Sequence, residues 1–186
     1  VALHAGQIQG FINITVDELT VLPLLARYFQ DKGLDNLVVV AVDIGISKRA
    51  RDMAARLKAP LAIIEKRRIG NGESTESLNI IGDVAGKTAI TFDDEIDTAG
   101  SLMAAVDALH AAGVKDVYSC CTHAVLSGPG AQRVEQSSVK ELVVTGTLPL
   151  SHEKRNSKIT VLSVSSLLGE AIRRIHEGLS VGAMFE

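Results

Sequence analysis

The chain has 186 residues, 46% of them hydrophobic and 22% charged, a balance that supports one folded domain and excludes a disordered chain. A formal net charge of −3, no Trp and only 3% aromatic residues leave neither a basic face nor stacking rings for nucleic acid. No apolar run approaches the roughly 20 residues that cross a bilayer, and no signal peptide opens the chain, so a soluble, cytoplasmic protein without membrane partners is expected.

The first periodic segment, VDELTVLPLLARYFQDKG (16–33), places Leu19, Leu22, Leu25, Ala26 and Phe29 on one helical face and stops at Gly33. LVVVAV (37–42) then reads as a strand. SKRARDMAARLK (47–58) is a helix that gathers Ala50, Met53, Ala54 and Leu57, with Ser47 as its N-cap. LAIIE (61–65) is a second strand. The stretch that follows has two glycines, many polar residues and no period, so a flexible loop is expected over 66–79.

TAITF (88–92) is a third strand, and TAGSLMAAVDALHAAG (98–113) is an Ala-rich helix that begins after Asp97 and ends at Gly113. VYSCCT (117–122), ELVVTGT (141–147) and KITVLSV (158–164) are further strands, and SLLGEAIRRIHEG (166–178) is a last helix. The adjacent Cys120 and Cys121 read as reduced, buried thiols, because neighbours rarely bridge each other. Near-continuous apolar strands alternating with helices predict one doubly wound α/β domain over residues 1–186. Its sheet is mainly parallel, with helices on both faces.

Chemistry concentrates in TAITFDDEIDTAGS (88–101). Asp97 is placed to cap a helix whose first turn offers unpaired N–H groups and partial positive charge. Thr98, Ala99, Gly100 and Ser101 can wrap a phosphate with amides and two hydroxyls. Asp93 and Asp94, at the strand end, are acceptors suited to a diol or a metal ion. A ligand with a phosphate at one end and hydroxyls further along satisfies both halves. A solvated acidic loop before a capped helix is the competing reading of the same residues.

This arrangement resembles the signature of the type I phosphoribosyltransferase fold, in which two acids hold ribose hydroxyls and the following loop holds the 5-phosphate. LHAGQIQGF (3–11), IIEKRR (63–68), IGDVAGKTAI (81–90), CCTHAVLSGP (120–129), KELVVTGTLPL (140–150) and EAIRRIHEGLSV (170–181) narrow the resemblance. Together they look like the ribose-phosphate pyrophosphokinase family. The resemblance implies transfer of the pyrophosphoryl group of ATP to the 1-hydroxyl of ribose 5-phosphate, with Mg2+ as cofactor. It assigns Lys66 and Arg68 to catalysis, His4 and Asp43 to the metal, and Asp93, Asp94, Asp97, Thr98, Ala99, Gly100 and Ser101 to ribose 5-phosphate. His123 is expected to pack. Self-association as dimers built into hexamers is also implied.

The sequence departs from the family pattern at several points. Ala2 replaces an acid, Asn13 and Thr15 replace Asp and Pro, and Ala-Val-Asp-Ile-Gly-Ile (41–46) replaces Ser-Pro-Asp-x-Gly-Gly. Glu95 adds a charge where an apolar residue is usual. The family's N-terminal domain is expected to be missing, since Val1 falls inside a family motif. Two classes follow: the ribose-phosphate half of a catalytic synthetase, or a non-catalytic relative that keeps the sugar-phosphate cradle. A plain phosphoribosyltransferase would need a hood for a nucleobase that the sequence does not offer.

Overall fold

The computed structural model describes residues 1–69 and 75–185, with 67–69 and 75–77 described by backbone alone. Seven strands form one sheet: β1 (Leu37–Ala41), β2 (Leu61–Ile69), β3 (Thr75–Ile81), β4 (Thr88–Ile96), β5 (Asp116–Ala124), β6 (Glu141–Thr145) and β7 (Ile159–Leu162). Their order is β3-β2-β1-β4-β5-β6-β7, and every neighbouring pair is parallel except β2–β3.

The central strands are apolar because both faces are covered. Val38, Val39, Val40 and Ala41 of β1 are all fully buried, as are Leu142, Val143 and Val144 of β6. The helices are α1 (Leu22–Lys32), α2 (Ser47–Leu57), α3 (Gly100–Ala111), α4 (Gly130–Gln136) and α5 (Ser165–His176). From β1 the chain crosses through α2 to β2 on one side, whereas from β4 it crosses through α3 to β5 on the other. Right-handed crossovers therefore set α2 and α3 on opposite faces. α1 packs with α2, and α3 with α4. The doubly wound α/β fold expected from the sequence is the fold observed.

α1 and α2 bury the stripes their spacing dictates. Pro23 in the first turn of α1 loses no bond there, Leu22, Leu25, Ala26 and Phe29 are buried, and Gly33 closes the helix at φ 64°. In α2, Ala50, Met53 and Ala54 are buried. Ser47 is not the N-cap. Ile46 occupies that position, and its N–H is held by Asp43 Oδ1 at 3.1 Å, so the Asp43 carboxylate organises the entry to α2.

The loop expected over 66–79 is also corrected. Lys66–Ile69 belong to β2 and Thr75–Asn79 to β3, paired antiparallel from Ile63↔Ile81 to Ile69↔Thr75, while 70–74 lie outside the described residues. β-branched residues among the polar ones suit a two-stranded edge, which needs no continuous apolar run. Gly82 ends this arm at φ +120°, with space for a Cβ blocked at 3.0 Å by Ala62.

Candidate functional site for a sugar phosphate

Strand order reverses between β1 and β4, and in open α/β sheets ligands bind at the carboxyl ends of strands beside such a switch point. Asp43 follows β1, and Asp93, Asp94 and Glu95 lie near the carboxyl end of β4. The site residues are thus brought together by topology. A cavity of about 350 Å³ is lined by His4, Asp43, the three β4 acids and the whole 97–101 turn. Its size is at the lower end for small-molecule sites. A second cavity, of about 390 Å³, shares His4, Asp43, Asp93 and Asp94 and is bounded by Lys48 and Arg49 of α2.

The acids do not form a solvated loop. β4 continues through them, with Asp93 opposite Cys121 and Glu95 opposite His123 on β5. Asp94 is buried, and its carboxylate is fully engaged. His4 Nδ1 donates to Oδ2 at 2.8 Å, the Glu95 N–H donates to Oδ1 at 2.9 Å, and Arg49 Nη1 lies 3.6 Å from Oδ2. Burial pushes the Asp94 carboxyl up, but bonds from His4 and Asp93 outweigh it and hold the group below its usual range. The same Asp94 contact raises His4 above its ordinary value.

Asp93 behaves oppositely. It is half-buried, accepts the Asp94 N–H through Oδ1 at 2.8 Å, and is pushed up to about 7 by burial and by hydrogen bonding with the Asp94 carboxylate. Two adjacent carboxylates therefore divide the work: Asp94 is ionised and locked, and Asp93 changes charge near neutrality. A group that both donates and accepts there suits a vicinal diol.

Beyond the acids, Asp97 is not the N-cap of α3. Ala99 is, in the left-handed region at φ 59°, and α3 starts at Gly100. Two further residues are needed to turn the chain, so the Asp97 carboxylate is carried away from the helix and accepts a hydrogen bond from Ser127 Oγ instead. The first helical bond runs from the Met103 N–H to the Ala99 carbonyl at 3.0 Å. The amides of Gly100, Ser101 and Leu102 precede it and carry no intrahelical partner, which leaves them to an anion.

The basic residues stand apart. Ile63 is level with Ala41, and Ala41 with Phe92, so Lys66 is level with Glu95 but two strand spacings, about 10 Å, away across the sheet. It is exposed, on an arm at the same end of the sheet, and lines neither cavity. Arg68 is opposite Glu76 in the backbone register, and its side chain lies outside the described residues. Among the described residues no group of three or more His, Cys, Asp or Glu is arranged to hold a metal ion.

Sequence reasoning missed Arg49, whose Nη2 also holds the Leu3 carbonyl at 3.1 Å and so ties the first residues to α2. His123 packs as expected, donating from Nε2 to the Ala2 carbonyl at 2.8 Å. Cys120 and Cys121 are buried free thiols, and burial pushes both up. No helix among the described residues is long and apolar enough to cross a membrane.

Residues 71–186 match the family described as phosphoribosyl synthetase-associated domain. Over 184 residues the chain is 53% identical to a ribose-phosphate pyrophosphokinase from Oceanobacillus iheyensis, covering 99% of this chain and 58% of that protein. A crystal structure of phosphoribosylpyrophosphate synthetase from Mycobacterium smegmatis superposes with a TM-score of 0.87 at 41% identity, over 95% of this chain and 57% of that one. An APRTase from Giardia lamblia, crystallised with 9-deazaadenine, shares the fold alone, at 17% identity and a TM-score of 0.54 over 67% of this chain and 75% of that one. The chain thus spans just under three fifths of the length of the curated relatives it matches.

Proposed function

This chain belongs to the phosphoribosyl synthetase-associated domain family, and on that premise we propose that it is the ribose-phosphate half of a ribose-phosphate pyrophosphokinase. The reaction is transfer of the β,γ-diphosphoryl group of ATP to O1 of ribose 5-phosphate, giving phosphoribosyl pyrophosphate and AMP. One observation carries the reading: a single cavity is lined both by the β4 acids and by the residues of the α3 N-terminal turn. Acceptors and donors together in one cavity are what a pentose phosphate requires.

The 5-phosphate rests on the free amides of the 100–102 turn, helped by the Thr98 and Ser101 hydroxyls. Asp93 takes the ring hydroxyls, and Asp94, held by His4 and Arg49, keeps Asp93 oriented. A sugar fixed at both ends aims O1 at the β-phosphorus of ATP, which converts much of the barrier into prior ordering. A bond from O1 to the β-phosphorus forms as the O1 proton passes to solvent, the bond from the β-phosphorus to the α-phosphate oxygen breaks, and AMP leaves. Lys66 and Arg68, carried on the β2–β3 arm, supply positive charge to the transferring phosphates.

The donor set fits Mg2+. The Asp43 carboxylate is a hard oxygen ligand with His4 beside it on the same cavity, and fewer than three protein groups suit an ion that keeps waters and completes its shell from substrate phosphates. Asp43 commits Oδ1 to Ile46 and keeps Oδ2; His4 commits Nδ1 to Asp94 and keeps Nε2. Bound there, Mg2+ neutralises charge on the phosphates. On the same reading the protein is cytoplasmic and self-associates, as dimers built into hexamers.

Calorimetry with ribose 5-phosphate tests the site. Binding by the chain, weakened about tenfold or more by Asp93→Ala, is expected, because a charge-assisted diol contact is lost. Equal binding by the variant overturns the assignment. Release of AMP from ATP plus ribose 5-phosphate tests the reaction itself.

A further inference from the structure

The turn that would grip the phosphate does not hold its own shape. Ala99 has φ 59°, a conformation an L side chain adopts at a cost, and makes no side-chain bond that explains it. Strain of this kind persists only where the surroundings over-determine it. Those surroundings are the β5–α4 connection.

Four contacts reach across from it. The Leu126 N–H donates to the Ile96 carbonyl at 3.0 Å, and Ser127 Oγ donates to the Asp97 carboxylate. Arg133 Nη1, on α4, donates to the Thr98 carbonyl at 2.8 Å. Gly130 packs so tightly that a Cβ would stand 2.7 Å from the Asp97 carbonyl oxygen, a backbone atom that cannot swing away. Leu126 is itself left-handed at φ 45° and fully buried, so the supporting turn is held rigid by the core. The Arg133 guanidinium also stands 3.6 Å from where a Cβ on Gly100 would lie, beside the free amides.

From these contacts we infer that Ser127, Gly130 and Arg133 are positioning residues for the sugar phosphate: they clamp Asp97 and Thr98 so that the amides of Gly100–Leu102 converge on the anion. The inference rests on the assignment of the 97–101 turn given above. Arg133 acts through the Thr98 carbonyl. Gly130 admits the close approach that any side chain would prevent, and Ser127 fixes the Asp97 carboxylate away from the anion that it would otherwise repel.

The test combines amide hydrogen exchange, read residue by residue by NMR, with ribose 5-phosphate calorimetry on the chain and its variants. Arg133→Ala should speed exchange about tenfold at Met103, whose N–H bonds the Ala99 carbonyl, and at Leu126, whose N–H bonds the Ile96 carbonyl, while β4 and β5 amides keep their protection, the mark of local rather than global opening. It should weaken ribose 5-phosphate about tenfold, and Arg133→Lys, which can reach the same carbonyl, should recover most of that loss. Gly130→Ala should do the same from the steric side.

Unchanged exchange at Met103 and Leu126 in both Arg133→Ala and Ser127→Ala overturns the clamp, whether or not a ligand binds. A uniform rise across β4 and β5 overturns it too, since the residues would then serve stability alone. If the parent chain fails to bind ribose 5-phosphate, the site assignment falls, and the exchange pattern still decides whether the clamp exists.

Discussion

His4 Nδ1 lies 2.8 Å from Asp94 Oδ2, so the opening residues of the chain are pinned to the end of a central strand ninety positions later. The contact raises His4 and lowers Asp94, both in the sense that favours the charged pair. A histidine whose value is raised on folding adds stability that is complete below its unfolded value of about 6.5 and disappears as pH climbs through the folded one. His4→Gln should therefore cost up to about 1 kcal/mol at pH 5.5 and almost nothing at pH 9, the small size following from the 62% exposure of the imidazole. Urea denaturation at the two pH values checks it. Equal losses at both would show that the ion pair is not the source.

Asp93 gives the opposite experiment. Its carboxyl rises on folding to about 7, so the folded chain holds a proton that the unfolded chain releases earlier. The parent protein should lose stability from about pH 4 to pH 7 and level off above, while Asp93→Asn, neutral throughout, should not. The variant is expected to match the parent near pH 4 and to exceed it by about 1–3 kcal/mol at pH 8. Chemical denaturation across that range reads the difference, and a variant less stable than the parent at pH 8 refutes the assignment. The same substitution should weaken ribose 5-phosphate, so stability and binding would move in opposite directions.

Lys66 stands on the β2–β3 arm, outside the cavity that would hold the sugar. Lys66→Ala should leave ribose 5-phosphate affinity unchanged. In a preparation that releases AMP, it should lower turnover by about 10²–10³-fold, because the ammonium serves charge that develops only during transfer. Parallel calorimetry and AMP release separate the two effects. A matching loss of sugar-phosphate affinity would place the lysine in the ground-state site instead.

The sheet was legible because its central strands are buried on both sides, which writes runs such as LVVVA directly into the sequence. The β2–β3 arm was not, since its outer half pairs on one edge only and shows no apolar period. α4 escaped notice for a different reason: seven residues are too few to display a helical face. In the site, types and spacing pointed to the acids and the following turn, and topology brought them together. The sequence could not say that Asp94 would be spent on His4 and Arg49, or that Asp97 would face Ser127, because both contacts join segments far apart in the chain. A helix cap is a local guess, and a distant hydroxyl won.

The left-handed Ala99 carries one more consequence, for protein engineering. Segment 93–101 looks like a portable cassette, acids and amides in nine consecutive residues, yet its curvature is borrowed from neighbours it does not include. Transplanted to another α/β scaffold by itself it would bring the chemistry without the grip. A successful graft must move two separate stretches together, or replace Ala99 with a residue content to bend that way unaided.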